Sequence, residues 1–203
     1  MTRQQIINKL IIKNNYKRYL EVGVQLPSSC FDTIECSYKQ GIEPFPNYTN
    51  SPYNSNIHIK TSDEYFHSIK ETDEKFDIVF IDGLHHNDQV IKDIENSLRH
   101  LDPNGTIVCH DCLPSNENQQ ERNDHGGVWL GDVWKAIAHF RITRNDIKIE
   151  VVNTDLGCGI ITKQPSIVWD TKGEKWDNWS YFKNNSQYLM NVISVGDFNI
   201  KYL

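Results

Sequence analysis

The sequence predicts an α/β protein built on one doubly wound, mostly parallel sheet of seven strands with helices on both faces. Three observations carry this. Short apolar runs such as Phe76-Asp-Ile-Val-Phe-Ile-Asp82 are nearly continuous rather than alternating, as in strands covered on both faces. Between them lie stretches with apolar residues three and four apart, the helical period. The two kinds alternate along the chain, the order that crossovers between parallel strands require. The 203 residues suit one domain, 1–203, long enough to bury a core.

Each element has its own signal. Arg3 to Asn14 puts Ile6, Ile7, Leu10 and Ile11 on one helical face. Arg18 to Val24 is a first strand. A helix is expected to begin near Ser28, because Pro27 pre-sets the dihedral of a first helical turn. Gln40 to Pro44 and Ile57 to Lys60 are the second and third strands, and 45–56 is a loop by its Pro, Asn and Ser content. Thr61-Ser-Asp-Glu64 has capping-box spacing and opens a helix through Tyr65, Phe66 and Ile69. Phe76 to Asp82 is the fourth strand. The next helix buries Val90, Ile91, Ile94, Leu98 and Leu101. Pro103-Asn-Gly105 turns into a fifth strand, Thr106 to Asp111. Val133 to Phe140 is helical, Asp146 to Val152 and Gly159 to Thr162 are closing strands, and Ser180 to Val192 is a C-terminal helix.

Composition excludes several classes. With 21 Lys and Arg against 27 Asp and Glu, the net charge of −6 opposes broad phosphate neutralisation, so no nucleic-acid partner is expected. No run nears the roughly 18 apolar residues of a membrane span. The segment Met1 to Asn15 alternates polar and apolar residues, unlike a secretion signal. Five cysteines, an odd number, are expected as reduced thiols in a cytoplasmic protein. Homo-oligomerisation stays open.

Ligands of such sheets bind beyond the carboxyl ends of the strands, where the strand order reverses. Four strand ends here are polar or glycine-bearing: Glu21 to Gly23, Glu43, Asp82 and His110-Asp111. Gly23 would admit a close ligand, and a helix from Ser28 would aim N–H groups at it. Glu43 has the type and position to accept hydrogen bonds from both hydroxyls of a ribose. A dinucleotide oxidoreductase would need G-x-G-x-x-G, which Val24-Gln-Leu-Pro-Ser-Ser29 lacks.

Tyr19-Leu-Glu-Val-Gly-Val24 resembles the first motif of class I S-adenosylmethionine-dependent methyltransferases, and Gly41-Ile-Glu-Pro44 resembles their ribose-binding acidic loop. Thr61-Ser-Asp63 stands where that family contacts adenine, and Phe76 to His85 resembles its fourth motif. Gly131-Asp-Val-Trp-Lys-Ala-Ile137 and Asp155-Leu-Gly-Cys-Gly-Ile160 resemble a subgroup of small bacterial enzymes of surface-glycan and natural-product sugar pathways. The chain departs from the family's E-x-G-x-G-x-G in that Gln25 and Pro27 replace glycines. The resemblance implies a Rossmann-like fold and S-adenosylmethionine as cofactor. Its contacts would be Glu21, Gly23, Val24, Gln25, Glu43, Pro44, Thr61, Ser62, Asp63, Asp82 and His85. The acceptor would be a small molecule, a sugar or glycan precursor. Asp82-Gly-Leu-His85 is unlike the D/N-P-P-Y/W of nucleic-acid amino-methyltransferases. An inactive cofactor-binding scaffold, or an N-methylating or hydroxylase-like relative, is the alternative.

Methyl transfer to a sugar hydroxyl needs a base within hydrogen-bond reach. His85, just after the fourth strand, is the candidate, since an imidazole titrates near neutral pH. Asp82, His110 and Asp111 complete the catalytic set. Related sugar and catechol methyltransferases hold Mg²⁺ after these two strands, which makes Asp82 and Asp111 candidate ligands for Mg²⁺ or Mn²⁺. The imidazole of His110 disfavours Mg²⁺, which prefers oxygen. Cys109-His-Asp-Cys112 straddles a strand end and reads as core packing, with zinc or redox use as the minor reading and Cys158 the further ligand in view. Residues 114–131 are long and polar for a connection and are expected to form a mobile acceptor lid, with Trp129 and Trp134 anchoring it. Trp169, Trp176 and Trp179 read as packing residues or an oligomer contact.

Overall fold

Strand β1 (Arg18–Val22) is where the chain changes the direction in which it adds strands. From it the chain builds outward through β2 (Tyr38–Ile42) to β3 (Ile57–His58), then returns to place β4 (Phe76–Ile81) and β5 (Leu101–Cys109) on the other side. These pairings are parallel. Strands β6 (Lys148–Val152) and β7 (Cys158–Thr162) close the sheet, β7 antiparallel to both β5 and β6. This computed structural model describes residues 1–46 and 56–203; most of the loop expected at 45–56 lies outside the described residues.

Among the described residues the sheet has eight strands, in the order β3-β2-β1-β4-β5-β7-β6-β8, rather than the seven expected. The extra strand, β8 (Val192–Ile193), pairs parallel with β6. It falls where the sequence predicts the end of the C-terminal helix. That helix, α5 (Trp179–Leu189), stops because Asn191 turns left-handed at φ 50° and its side chain donates to Ile149 O at 3.0 Å. A further helix, α6 (Val195–Tyr202), follows on its own capping box at Ser194.

The helix expected from Ser28 is also corrected. Pro27–Ser29 and Phe31–Thr33 form separate 3₁₀ turns. Ser29 Oγ and Thr33 Oγ1 each donate to the carbonyl three residues back, at 2.6 and 2.7 Å, and Cys30 leaves helical dihedrals between them. Such local side-chain bonds compete with helix propagation. The other helices match their signals: α1 (Arg3–Asn14), α2 (Ser62–Ile69) with the Thr61–Glu64 capping box, α3 (Asn87–His100) and α4 (Val133–Thr143), except that Leu101, expected on the α3 face, pairs with Phe76 and opens β5, which runs through the turn expected at 103–105.

Period-2 alternation sorts the core onto the two faces of the sheet. Leu20, Val79, Ile81 and Ile107 pack with α2, α3, α4 and α5. Tyr19, Ile78, Phe80 and Val108 pack with α1, the 27–34 turns and α6. Trp169, Trp176 and Trp179 lie against the first cluster, as packing residues do. Among the described residues no helix is long and apolar enough to cross a membrane.

Candidate active site

The strand ends that flank the switch point come together first through backbone. Gly23, at φ +86°, lies so close to β4 that a Cβ there would overlap Gly83 Cα and the Asp82 carbonyl. Its glycine requirement therefore comes from packing of the two strand ends. Gly23 N and Val24 N both donate to Ile42 O, at 2.9 and 3.2 Å, and Val24 is buried. Gln25 follows with φ 47° and donates its N–H to Glu43 Oε2 at 2.7 Å. Glu43 Oε1 accepts from Phe45 N at 2.9 Å. Glu43 thus ties the β1 loop to the segment after β2, with Pro44 beside it, and each carboxylate oxygen keeps a lone pair for a hydroxyl.

Glu21 is set behind this edge. It is fully buried on the α1 face and accepts a hydrogen bond from Tyr19 Oη. Burial pushes its carboxyl up to about 8, more than the Tyr19 bond lowers it, so it is largely protonated at neutral pH. On the far side, Ser62 and Asp63 open α2 and accept hydrogen bonds from Gln89 at 3.1 and 3.0 Å, with Lys92 also on Asp63 at 3.2 Å. Thr61 serves its own helix as N-cap. Asp63 is therefore committed to α3.

The ends of β4 and β5 carry a dense ionic cluster. His85 Nε2 lies 3.4 Å from Asp82 Oδ1, and His85 Nδ1 lies 3.4 Å from Asp111 Oδ2. His110 Nδ1 lies 3.4 Å from Asp82 Oδ1 and 3.2 Å from Asp111 Oδ1. Asp111 turns left-handed at φ 60° to aim its carboxylate inward. Burial alone would lower the pKa of His85, but Asp82 and Asp111 raise it above the usual imidazole value. Burial likewise opposes the charged form of His110, and the carboxylates of Asp111, Asp155 and Asp82 reverse this and raise it strongly. Burial would raise Asp82, yet His110 and His85 hold its carboxyl well below the usual range.

Sequence reasoning missed two members of this cluster. Arg3 reaches in from the first turn of α1, its Nε 3.7 Å from Asp82 and its Nη1 3.5 Å from Asp155. Asp155, in the turn before β7, accepts the Arg3 backbone N–H at 2.6 Å and faces His110 Nε2 at 3.8 Å. Its carboxyl is lowered to about 2, first by His110. No short-range pattern links Arg3 to Asp155; only the motif-like stretch from Asp155 to Ile160 hinted at a role.

The His85 loop is clamped by residues 129–132. Gly131, at φ +60°, lies against His85, where a Cβ would overlap the His85 carbonyl oxygen. Asp132 N donates to that same oxygen at 3.1 Å, and Asp132 Oδ1 accepts Asn87 N at 2.7 Å, securing the start of α3. Trp129 stacks on the His85 ring with centroids 5.0 Å apart and planes 21° apart. Its indole N–H donates to Glu121 O at 2.7 Å, while fully buried Trp134 bonds Gln120 at 3.2 Å. Beside Trp129 is a cavity of about 550 Å³ lined by Asn116, Asn118, Gln119, Glu121 and His125. Cys109 and Cys112 are buried free thiols in the core, as the packing reading expects.

The donors fit a nucleoside ligand at Glu43, whose two oxygens each have capacity left for one ribose hydroxyl. They do not fit Mg²⁺ at Asp82 and Asp111. The two carboxylates already face two imidazoles, and Asp82 faces a guanidinium besides, whereas Mg²⁺ demands a near-complete oxygen shell.

Comparison with known proteins agrees with this architecture. Residues 27–112 match the family Methyltransf_24, described as a methyltransferase domain. The O-methyltransferase TomG from Streptomyces achromogenes, involved in tomaymycin synthesis and solved with SAM, is 15% identical over 79% of each chain, with a TM-score of 0.56. An O-methyltransferase from Bacillus cereus in complex with SAH is 14% identical over 81% of this chain and 82% of that chain, with a TM-score of 0.53. The SAH-bound methyltransferase PaMTH1 from Podospora anserina is 16% identical over 81% of this chain and 80% of that chain, at 0.52. At such identities the likeness is one of fold. No curated protein sequence matches the chain. The domain match covers residues 27–112, and the fold is the Rossmann-like α/β fold that these methyltransferases share.

Proposed function

We propose that the protein is an S-adenosylmethionine-dependent O-methyltransferase, a single domain that acts on a sugar or another small polar metabolite. The observation that carries this is the Asp82–His85–Asp111 set, built at the strand ends beyond the switch point on the same edge as Glu43. When bound, S-adenosylmethionine supplies a methyl group on a sulfonium leaving group. Glu43 accepts its ribose hydroxyls. Asp82 holds His85 through Nε2, which leaves Nδ1 as the basic nitrogen. That nitrogen is buried and has no hydrogen-bond partner. It removes the acceptor's hydroxyl proton as the oxygen takes the methyl group, and Asp111 stabilises the imidazolium that forms. A built base favours oxygen over nitrogen, because an alcohol must lose its proton during transfer while a free amine already carries its lone pair.

Because Trp129 covers His85, the acceptor gains Nδ1 only when Trp129 swings away. Residues 114–131 are then the lid. The carboxamides and carboxylate beside Trp129 suit a polyhydroxylated acceptor, and the indole face suits a sugar ring. Five free thiols agree with a reducing, cytoplasmic setting.

The test is transfer of labelled methyl from S-adenosylmethionine to a panel of sugars and sugar phosphates. Turnover that falls about a hundredfold or more in His85→Ala and is indifferent to EDTA is expected. Full activity in that variant would move the base to His110 or Asp111. Loss on chelation with recovery on Mn²⁺ would show that a bound cation takes part in turnover and overturn the metal-free base.

A further inference from the structure

We propose that His110, Asp155 and Cys158 form a binding site for a divalent cation of the zinc class, adjoining the base through Asp82 and Asp111, which His110 shares with His85. His110 Nε2, an Asp155 carboxylate oxygen and Cys158 Sγ all lie within 4.8 Å of one another. Ligand atoms around a tetrahedral Zn²⁺ bonded at 2.0–2.3 Å are ~3.3–3.8 Å apart, so a small contraction closes the set. The pair already measured, His110 Nε2 to Asp155 Oδ2, is 3.8 Å.

Four features point to a ligand here. His110 is 5% exposed, and its Nε2 is buried with no hydrogen-bond partner, aimed at Asp155. Its other nitrogen, Nδ1, is also buried and lies 3.2 Å from Asp111 Oδ1 and 3.4 Å from Asp82 Oδ1 without a hydrogen bond, so carboxylates stand where the outer partners of a metal-binding imidazole would be. Three successive residues, Asp155, Leu156 and Gly157, are left-handed at φ 47°, 62° and 93°, and that turn brings Asp155 and Cys158 to the same ring edge. The turn is pinned by Cys112 N to Gly157 O at 3.1 Å and Leu113 N to Leu156 O at 2.8 Å.

The donor types choose the metal. One thiolate, one imidazole and one carboxylate exclude Mg²⁺ and Ca²⁺, which take oxygen, and suit Zn²⁺ or its spectroscopic substitute Co²⁺. Cys158 and His110 are buried, while Asp155 is partly exposed, so the fourth position opens toward the crevice and takes water. Arg3 donates its backbone N–H to Asp155 Oδ2, the kind of hydrogen bond that orients a metal-binding carboxylate. Cys109-x-x-Cys112 takes no part: Cys112 points its thiol at the Cys109 carbonyl, 3.2 Å away.

The test is anaerobic titration of the reduced, chelator-treated protein with Co²⁺ alone, followed by displacement with Zn²⁺. One equivalent should give a thiolate-to-cobalt charge-transfer band that Zn²⁺ bleaches. The band should vanish in Cys158→Ser and persist in Cys112→Ser. Asp155→Asn should keep the band but weaken Co²⁺ affinity at least tenfold, and it serves if Cys158→Ser fails to fold. No band in the parent protein, a band retained in Cys158→Ser, or an unchanged affinity in Asp155→Asn overturns the site. Binding of the cofactor plays no part in the readout, so the outcome is independent of the methyl-transfer reading.

Discussion

At the scale of single residues, the cluster around His85 makes a prediction about pH. Asp82 and Asp111 raise the imidazole above its usual value of about 6.5. A base must be neutral to accept a proton, so kcat/KM should fall as pH drops through that raised pKa, giving an acid limb above pH ~6.5. Asp111→Asn removes one raising charge and should move the limb downward; a limb that stays put in this variant would remove Asp111 from the role assigned to it. Asp82, His85, His110 and Asp111 were legible because each lies just beyond the end of β4 or β5, and strand ends meet at the switch point. Arg3 and Asp155 were not, because their contact spans 152 residues and depends on how α1 lies across the sheet. Glu43 was legible in position but only partly in role. Its hydrogen bonds from Gln25 and Phe45 give it a structural duty that no spacing announces.

At the scale of elements, the His85 loop depends on the segment around Gly131 and Asp132. Gly131→Ala puts a methyl group against the His85 carbonyl and strains a left-handed residue, and should cost about 1–3 kcal/mol of stability as well as turnover. Thermal unfolding together with kinetics checks this, and an unaltered variant would show that Gly131 does not set the loop. The lid itself is held by Trp129, by Leu130 N to Gln119 O at 2.9 Å, and by Arg122 on Asp88 at 2.7 Å. Hydrogen exchange should show the backbone of 121–128, exposed in most of its length, opening without acceptor and slowing with it. Equal protection in both states would make the segment a fixed wall. The helix expected at Ser28 failed for a reason that periodicity does not carry: hydroxyls of Ser29 and Thr33 took the carbonyls that helix propagation needs. The strand β8 is two residues long, too short to show any period.

At the scale of the whole molecule, the C-terminus is stitched to the sheet by one buried carboxylate. Glu150 on β6 meets Lys148 at 2.9 Å, Lys201 at 2.5 Å and Tyr202 Oη at 2.6 Å. Burial would raise its carboxyl, but these partners lower it to about 2. A carboxyl depressed on folding stabilises above its unfolded pKa of about 4.3 and loses that contribution as pH falls toward the folded value. Stability should therefore decline between pH ~4.3 and ~2, and less steeply in Glu150→Gln. An unchanged slope would mean that the α6 contacts are not formed in solution. The doubly wound class was legible from the nearly continuous apolar run of β4 and from the alternation of strands with helices, whereas β8 was not.

Calorimetric titration with S-adenosylmethionine tests the central claim most directly, run on the parent protein, Glu43→Ala and His85→Ala. The parent should bind one equivalent. Glu43→Ala should lose about 1.5–3 kcal/mol, since a charged acceptor to two hydroxyls is removed. His85→Ala should bind nearly as well as the parent, because in the proposed mechanism His85 serves the acceptor's proton. A folded parent protein that shows no binding, or a Glu43→Ala variant that binds as tightly as the parent, would contradict the account.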